Sequence, residues 1–99
     1  WILLLNRSNV VIKKVQVSRG GLSSTIVDPK VVFKIALSNM ATGILLGHNH
    51  PSGLVNPSEE DRRLTKRLKE GANLLDLVIL DHIIVGANTY FSFADEGLL

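Results

Sequence analysis

Cysteine is absent from this 99-residue sequence. The chain can therefore form no disulfide scaffold, no thiolate zinc site and no cysteine nucleophile. A strong excess of charge is also lacking, because eleven Lys and Arg stand against nine Asp and Glu, and a net charge of +2 does not indicate a nucleic-acid binder. No apolar run reaches the roughly 18 residues of a membrane span, and no signal peptide is recognisable. We expect a cytoplasmic protein without membrane contact.

The rest of the composition is that of a globular protein. Hydrophobic residues make up 45% and charged residues 20% of the chain, which is ordinary for a folded domain. A chain of this length forms one domain, residues 1–99, and buries roughly 60–70% of its extended surface. The first residue is Trp1 rather than Met, so we expect a domain that is truncated at its N-terminus.

Hydrophobic patterning predicts strands that alternate with helices. Apolar and β-branched runs predict strands at residues 1–5, 10–17, 22–27, 43–47, 77–85 and 89–93. Asp28 and Pro29 predict the start of a helix that ends near Met40, and Ser58 predicts the start of a second that ends near Leu75. This order favours an α/β fold with a mixed sheet flanked by helices.

Two of the three histidines, His48 and His50, lie two residues apart just after the fourth predicted strand. In an extended segment, residues i and i+2 point to the same side, so both imidazoles can reach one cation. Imidazole is a standard zinc ligand. Short histidine pairs also occur in plain loops, and the pair alone leaves both explanations open.

Asp61 lies in the first turn of the second predicted helix. Helical steps of about 100° place it within the apolar stripe that contains Leu64 and Leu68. A carboxylate directed inward is costly unless a cation or hydrogen bonds meet it. It can be a capping-box acid, a metal ligand or both. With two imidazoles it leaves a fourth position for water, which is typical of catalytic Zn²⁺.

Ser58 also has two explanations. As an N-cap it accepts a backbone N–H and needs no further role, and the spacing alone favours this explanation. As a catalytic residue, it would donate its hydroxyl proton to an oxyanion that forms near the metal.

The spacing of His48–X–His50 and Ser58–X–X–Asp61 resembles the motif of the JAMM (MPN-domain) metalloproteases. The wider runs HNHPSG at 48–53 and DHIIVG at 81–86 resemble the RadC family in particular, and the resemblance covers nearly the whole chain. It implies the α/β fold of the JAMM and cytidine deaminase-like group. It also implies a zinc site with His48, His50 and Asp61 as ligands, water as the fourth ligand and Ser58 in a supporting role.

One feature departs from the JAMM pattern. Those enzymes use a glutamate upstream of the histidines as general base, whereas the only acid before His48 is Asp28. Asp28 is better explained as a helix cap, because Pro29 follows it. Either the base precedes Trp1, or this protein lacks it.

Asp81 and His82 interrupt an otherwise apolar predicted strand. The more usual explanation is a hydrogen-bonded polar pair, since buried polar groups normally find partners. The alternative is a supporting role beside the metal ligands.

Five cations lie within eight residues of the second predicted helix: Arg62, Arg63, Lys66, Arg67 and Lys69. They fall mostly off the apolar stripe, so we prefer a solvated helix face. A patch that contacts nucleic-acid phosphates is the alternative.

These observations favour one function and leave a second open. The first is a zinc-dependent hydrolase of the peptidase or isopeptidase type, in which metal-activated water attacks a carbonyl of a protein or peptide substrate. The second is a non-catalytic module that binds metal or acts in DNA metabolism or DNA repair, as the historical name of the RadC family suggests. Nothing in the sequence specifies an oligomeric state.

Overall fold

A computed structural model describes residues 1–17, 27–50 and 52–99 of the chain. These residues form five strands and two helices. In chain order the elements are β1 (Ile2–Leu5), β2 (Val11–Val15), α1 (Pro29–Ser38), β3 (Gly43–Asn49), α2 (Glu59–Leu74), β4 (Val78–Val85) and β5 (Tyr90–Ser92). The predicted strand at 22–27 falls almost entirely on residues outside the described ranges.

The described strands form one mixed sheet in the order β2-β1-β3-β4-β5. The β3–β4 pair is parallel, and the other neighbours are antiparallel. Parallel neighbours need a crossover between them, and α2 lies in that connection. The predicted α/β class, a mixed sheet flanked by helices, is confirmed.

The first helix begins as predicted and ends slightly earlier. The Asp28 side chain accepts a hydrogen bond from the Lys30 N–H at 2.9 Å, which caps the helix start. The helix ends at Ser38 instead of Met40. Asn39 donates its side-chain amide to the Ile35 carbonyl, and Met40 has a left-handed backbone with φ 53°. This terminal geometry stops the helix before the apolar pattern stops.

The hydrophobic core lies between the sheet and the two helices. It includes Ile2 and Leu4 of β1, Ile44 and Leu46 of β3, and the buried residues of the helices and β4: Val32, Ala36, Leu68, Ala72 and Ile79. Among the described helices, none combines the length and the apolar character needed to cross a membrane.

The central strand β3 is longer than predicted, because it continues past Gly47 to Asn49. The predicted end of this strand at residue 47 is therefore wrong by two residues. Gly47 leaves room for the Trp1 ring, since a Cβ built on it would overlap that ring. The extension places His48 on a strand with a defined direction.

Candidate metal centre

The candidate site lies where β3 ends and α2 begins. His48 is the penultimate residue of β3, His50 follows the strand, and Asp61 lies in the first turn of α2. In the parallel register, Leu46 pairs with His82 and His48 pairs with Ile84. Because His82 is two positions from the partner of His48, the two imidazoles lie on the same face of the sheet.

Asp61 stands between the two predicted histidine ligands. The Nε2 atom of His48 lies 3.2 Å from Asp61 Oδ1, and the Nε2 atom of His50 lies 2.9 Å from Asp61 Oδ2. All three side chains are largely buried, with exposed fractions of 29%, 18% and 14% for His48, His50 and Asp61. The structure thus brings together the three residues predicted as metal ligands.

The helix cap fixes the Asp61 carboxylate. The Ser58 N–H donates to Asp61 Oδ2 at 2.8 Å, and the Asp61 N–H donates to Ser58 Oγ at 3.0 Å, which is a complete capping box. Burial alone raises the pKa of Asp61, but hydrogen bonds from His48 and Ser58 outweigh it and hold this pKa well below its ordinary value. Asp61 therefore caps the helix and also lies beside both histidines.

A backbone carbonyl orients the ring of His50. Its Nδ1 lies 2.9 Å from the Leu54 carbonyl oxygen. Because a carbonyl only accepts, this Nδ1 carries a proton and donates it. In the neutral ring, Nε2 then holds a lone pair that points at the Asp61 carboxylate 2.9 Å away. Two electron-rich atoms this close need a proton or a metal cation between them, and imidazole and carboxylate are both ordinary ligands of Zn²⁺, so this donor set fits a metal.

His82 lies directly behind His48. Its Nε2 is 2.9 Å from His48 Nδ1, and its Nδ1 is 2.6 Å from the Thr65 hydroxyl oxygen. Its ring stacks on Phe93 with centroids 4.6 Å apart. The residue is 1% exposed. Burial, together with the nearby His48, lowers the pKa of His82 to about 4, so the ring is neutral at pH 7.

The titratable groups of the site include a second possible ligand set. His48, Asp61 and His82 each offer an atom within 4.8 Å of the others, and such a group can hold a metal ion. Two three-residue sets thus share His48 and Asp61, and they differ in whether His50 or His82 completes them.

The two residues of the Asp81–His82 pair have different surroundings. Asp81 is fully engaged, because Oδ1 accepts the N–H groups of His82 and Ala94 and Oδ2 accepts the Ser92 hydroxyl at 2.5 Å. These hydrogen bonds tie β4 to Ser92 of β5 and to Ala94 just beyond it, and they satisfy the half-buried carboxylate. His82 instead reaches the ring of His48.

Thr65 is a further residue of the site that the sequence motifs do not include. Its hydroxyl lies 2.9 Å from the Asp61 carbonyl oxygen and 2.6 Å from His82 Nδ1. The spacing of Asp61 and Thr65 at i and i+4 on a predicted helix was an available signal, since such residues share a face. The pairing with His82 could not be read from spacing, because it joins residues 17 positions apart.

The five cations of α2 are all exposed. Within the described parts of the chain, none of Arg62, Arg63, Lys66, Arg67 and Lys69 forms an ion pair. This arrangement agrees with the preferred explanation of a solvated helix face. The alternative, contact with nucleic-acid phosphates, stays a prediction.

The fold and the site define a class of protein: an α/β domain with a mixed sheet and a His/Asp group at the ends of its central strands. Comparison with known families narrows that class. The family model described as "RadC-like JAB domain" matches residues 1–98. The chain belongs to this family, and the resemblance noted in the sequence is confirmed.

Curated relatives agree with this family. A "UPF0758 protein" of Flavobacterium johnsoniae is 53% identical over 98 residues, which cover 99% of this chain and 43% of the relative. A "UPF0758 protein" of Porphyromonas gingivalis is 50% identical over 100 residues, which cover all of this chain and 44% of the relative. The chain spans less than half the length of these relatives.

Proposed function

We propose that this domain is a zinc-dependent hydrolase that acts on a peptide or isopeptide carbonyl. The proposed ligands are His48, His50 and Asp61, and the proposed supporting residue is Ser58. The observation that carries the proposal is the convergence of two imidazole Nε2 atoms on the two oxygens of one carboxylate, at 3.2 and 2.9 Å. Membership of the RadC-like JAB family supports it.

We assign His50 rather than His82 as the third ligand. Both nitrogens of His82 already have partners, the Thr65 hydroxyl and the ring of His48, so a metal would have to displace one of them. His50 uses only Nδ1 for its backbone contact, and its Nε2 faces Asp61. His50 is 18% exposed and His82 is 1% exposed, so ligation by His50 places the metal nearer to water and substrate, as a catalytic zinc requires.

Zinc bound by this set would polarise a substrate carbonyl and lower the pKa of water toward about 7. The protein's own residues would bind the metal and orient the substrate. The Ser58 hydroxyl oxygen accepts the Asp61 N–H, and its own proton stays available to donate to a substrate oxyanion. Asp28 is assigned no proton transfer, because its carboxylate caps α1 through the Lys30 N–H.

The first test is the zinc content of the purified full-length protein. We expect about one zinc per chain in the wild type and a loss of zinc in His48→Ala, His50→Ala and Asp61→Asn. Asn49→Ala is the matched control, because Asn49 is exposed and lies between the two histidines. A wild-type protein without zinc, or an Asp61→Asn variant that keeps it, contradicts the proposal.

The second test measures hydrolysis of peptide and isopeptide substrates by the zinc-loaded protein. Loss of the Ser58 donor should lower kcat by about 10²-fold or more. Ser58→Asp retains a capping oxygen and removes the donated proton at neutral pH, whereas Ser58→Thr retains both. Equal kcat in these two variants, with zinc bound in both, shows that Ser58 serves only as a cap.

A further inference from the structure

A chain of hydrogen bonds runs through the protein behind His48. It starts at the backbone carbonyl of Asp61, passes through the Thr65 hydroxyl and both ring nitrogens of His82, and ends at Nδ1 of His48. The opposite side of the His48 ring faces the Asp61 carboxylate. This series of hydrogen bonds therefore begins at the backbone of Asp61 and leads, through the ring of His48, back to the Asp61 side chain.

The positions of the protons in this chain follow from its fixed end. The Asp61 carbonyl can only accept, so the Thr65 hydroxyl donates its single proton across the 2.9 Å contact. The hydroxyl oxygen must then accept from Nδ1–H of His82 at 2.6 Å. A neutral imidazole with Nδ1 protonated has its lone pair on Nε2, which accepts from Nδ1–H of His48 at 2.9 Å.

Donation in the opposite direction along these hydrogen bonds is unfavourable. If Thr65 donated to His82, its oxygen and the Asp61 carbonyl oxygen would be two acceptors 2.9 Å apart with no proton between them. Water cannot rescue such a contact easily, because Thr65 is 2% exposed and His82 is 1% exposed. The Phe93 ring, stacked at 4.6 Å and 6°, also holds the His82 ring in its plane.

We infer that Thr65 and His82 are positioning residues that fix His48 with its proton on Nδ1, so that the Nε2 lone pair is directed at the metal position. This inference rests on the proposed function, since it assigns a purpose to residues behind the proposed zinc ligand. Groups that hold the second nitrogen of a ligating histidine commonly govern metal affinity by 10- to 100-fold.

Zinc affinity is the first readout, measured on full-length protein by competition with a chromophoric chelator. Thr65→Val keeps the shape and removes the hydroxyl, and it should weaken zinc binding about 10-fold. Thr65→Ser restores the hydroxyl and should stay within about 3-fold of the wild type. His82→Phe should weaken binding at least as much as Thr65→Val does. Circular dichroism confirms that each variant is folded before its affinity is compared.

The second readout locates the protons directly. Nitrogen NMR of protein with ¹⁵N-labelled histidine should place protons on Nδ1 of both His48 and His82, with a coupling through the hydrogen bond between the two rings. The measurement uses zinc-loaded protein, in which the metal takes the place of a proton between Nε2 of His48 and the Asp61 carboxylate. A proton on Nε2 of His82 would overturn the inference.

The two proposals fail in different ways. A wild-type protein that binds no zinc overturns both the proposed function and the role of Thr65 and His82 in directing His48 at a metal. A wild type that binds zinc normally, alongside a folded Thr65→Val variant of unchanged affinity, overturns the role of Thr65 and His82 and leaves the proposed function standing.

Discussion

The two histidines that flank Asp61 are held in different ways. His48 lies on the central strand β3 and is backed by buried His82, whose other nitrogen contacts buried Thr65. His50 lies beyond the end of the strand, and its second nitrogen donates to the backbone carbonyl of Leu54. One side of the site is therefore built from the core, and the other is built from a surface segment.

This difference separates two requirements of a metal site. A ligand fixed by the core loses little conformational entropy when it binds, and it places the metal accurately. A ligand on a partly exposed segment leaves an approach for substrate. We expect perturbation of the His48 side to affect both folding and zinc affinity, whereas perturbation of the His50 side should affect mainly zinc affinity.

The largest expected contrast is in the stability of metal-free protein. His82→Ala leaves a cavity and removes the partner of two polar groups, and it should lower the free energy of unfolding by about 3 kcal/mol. His50→Ala removes a ring that lies beyond the end of β3 and is 18% exposed, so it should cost less, about 1 kcal/mol. Urea denaturation of the two variants measures this contrast, and equal losses would contradict it.

Zinc should stabilise the folded protein only when both sides of the site are intact. At a zinc concentration 100 times its Kd, the wild type should gain about 2.7 kcal/mol in free energy of unfolding. Asp61→Asn keeps a capping side chain but lacks the carboxylate charge, so we expect no gain for this variant. Calorimetry with and without zinc gives the result, and a gain of similar size in Asp61→Asn would count against the ligand assignment.

Stability of metal-free protein should also depend on pH through His82. Burial lowers its pKa from 6.5 to about 4, so the unfolded chain binds a proton on this ring at a higher pH than the folded chain does. The stabilisation is complete above pH 6.5 and is lost as the pH falls toward 4. Between pH 7 and pH 5 the loss should be about 2 kcal/mol.

The control for this pH dependence is His82→Gln, which removes the titrating ring and keeps an amide in its place. Between pH 7 and pH 5, the free energy of unfolding of this variant should fall by about 2 kcal/mol less than that of the wild type. Urea denaturation at both pH values measures the difference. An identical pH dependence in the two proteins would show that His82 is not the group responsible.

The smallest effect is expected on the His50 side. The Ser52 hydroxyl accepts the Leu54 N–H at 3.3 Å in an exposed turn. Ser52→Ala should change the free energy of unfolding by no more than about 0.5 kcal/mol. Because Leu54 orients the ring of His50, zinc affinity should fall a few-fold in the same variant. Chelator competition can detect a change of this size, and an unchanged affinity would show that the turn holds His50 without this bond.

Local signals in the sequence predicted much of the site. The capping box of Ser58 and Asp61 is confirmed, because it depends on residues three positions apart at a helix start. The placement of His48 and His50 on the same side also follows from local geometry. The true end of β3 at Asn49 was missed, since polar residues at a strand end look like a loop in the sequence.

The contacts behind His48 could not be predicted in this way. His82 and His48 are 34 residues apart, and only the parallel register of β3 and β4 brings their rings together. The sequence left two explanations for Asp81 and His82, and in the structure each explanation applies to one residue. Asp81 is a fully hydrogen-bonded acid, and His82 lies beside a proposed ligand.

The most direct test of the proposed site is X-ray absorption spectroscopy of the zinc-loaded full-length protein. We predict two imidazole ligands with the remaining ligands oxygen, at zinc–ligand distances of about 2.0–2.2 Å. His82→Phe should retain the two-imidazole signature, whereas His50→Ala should lose one imidazole. A wild-type spectrum with three imidazoles, or one that loses an imidazole in His82→Phe, would make His82 a ligand and contradict the account.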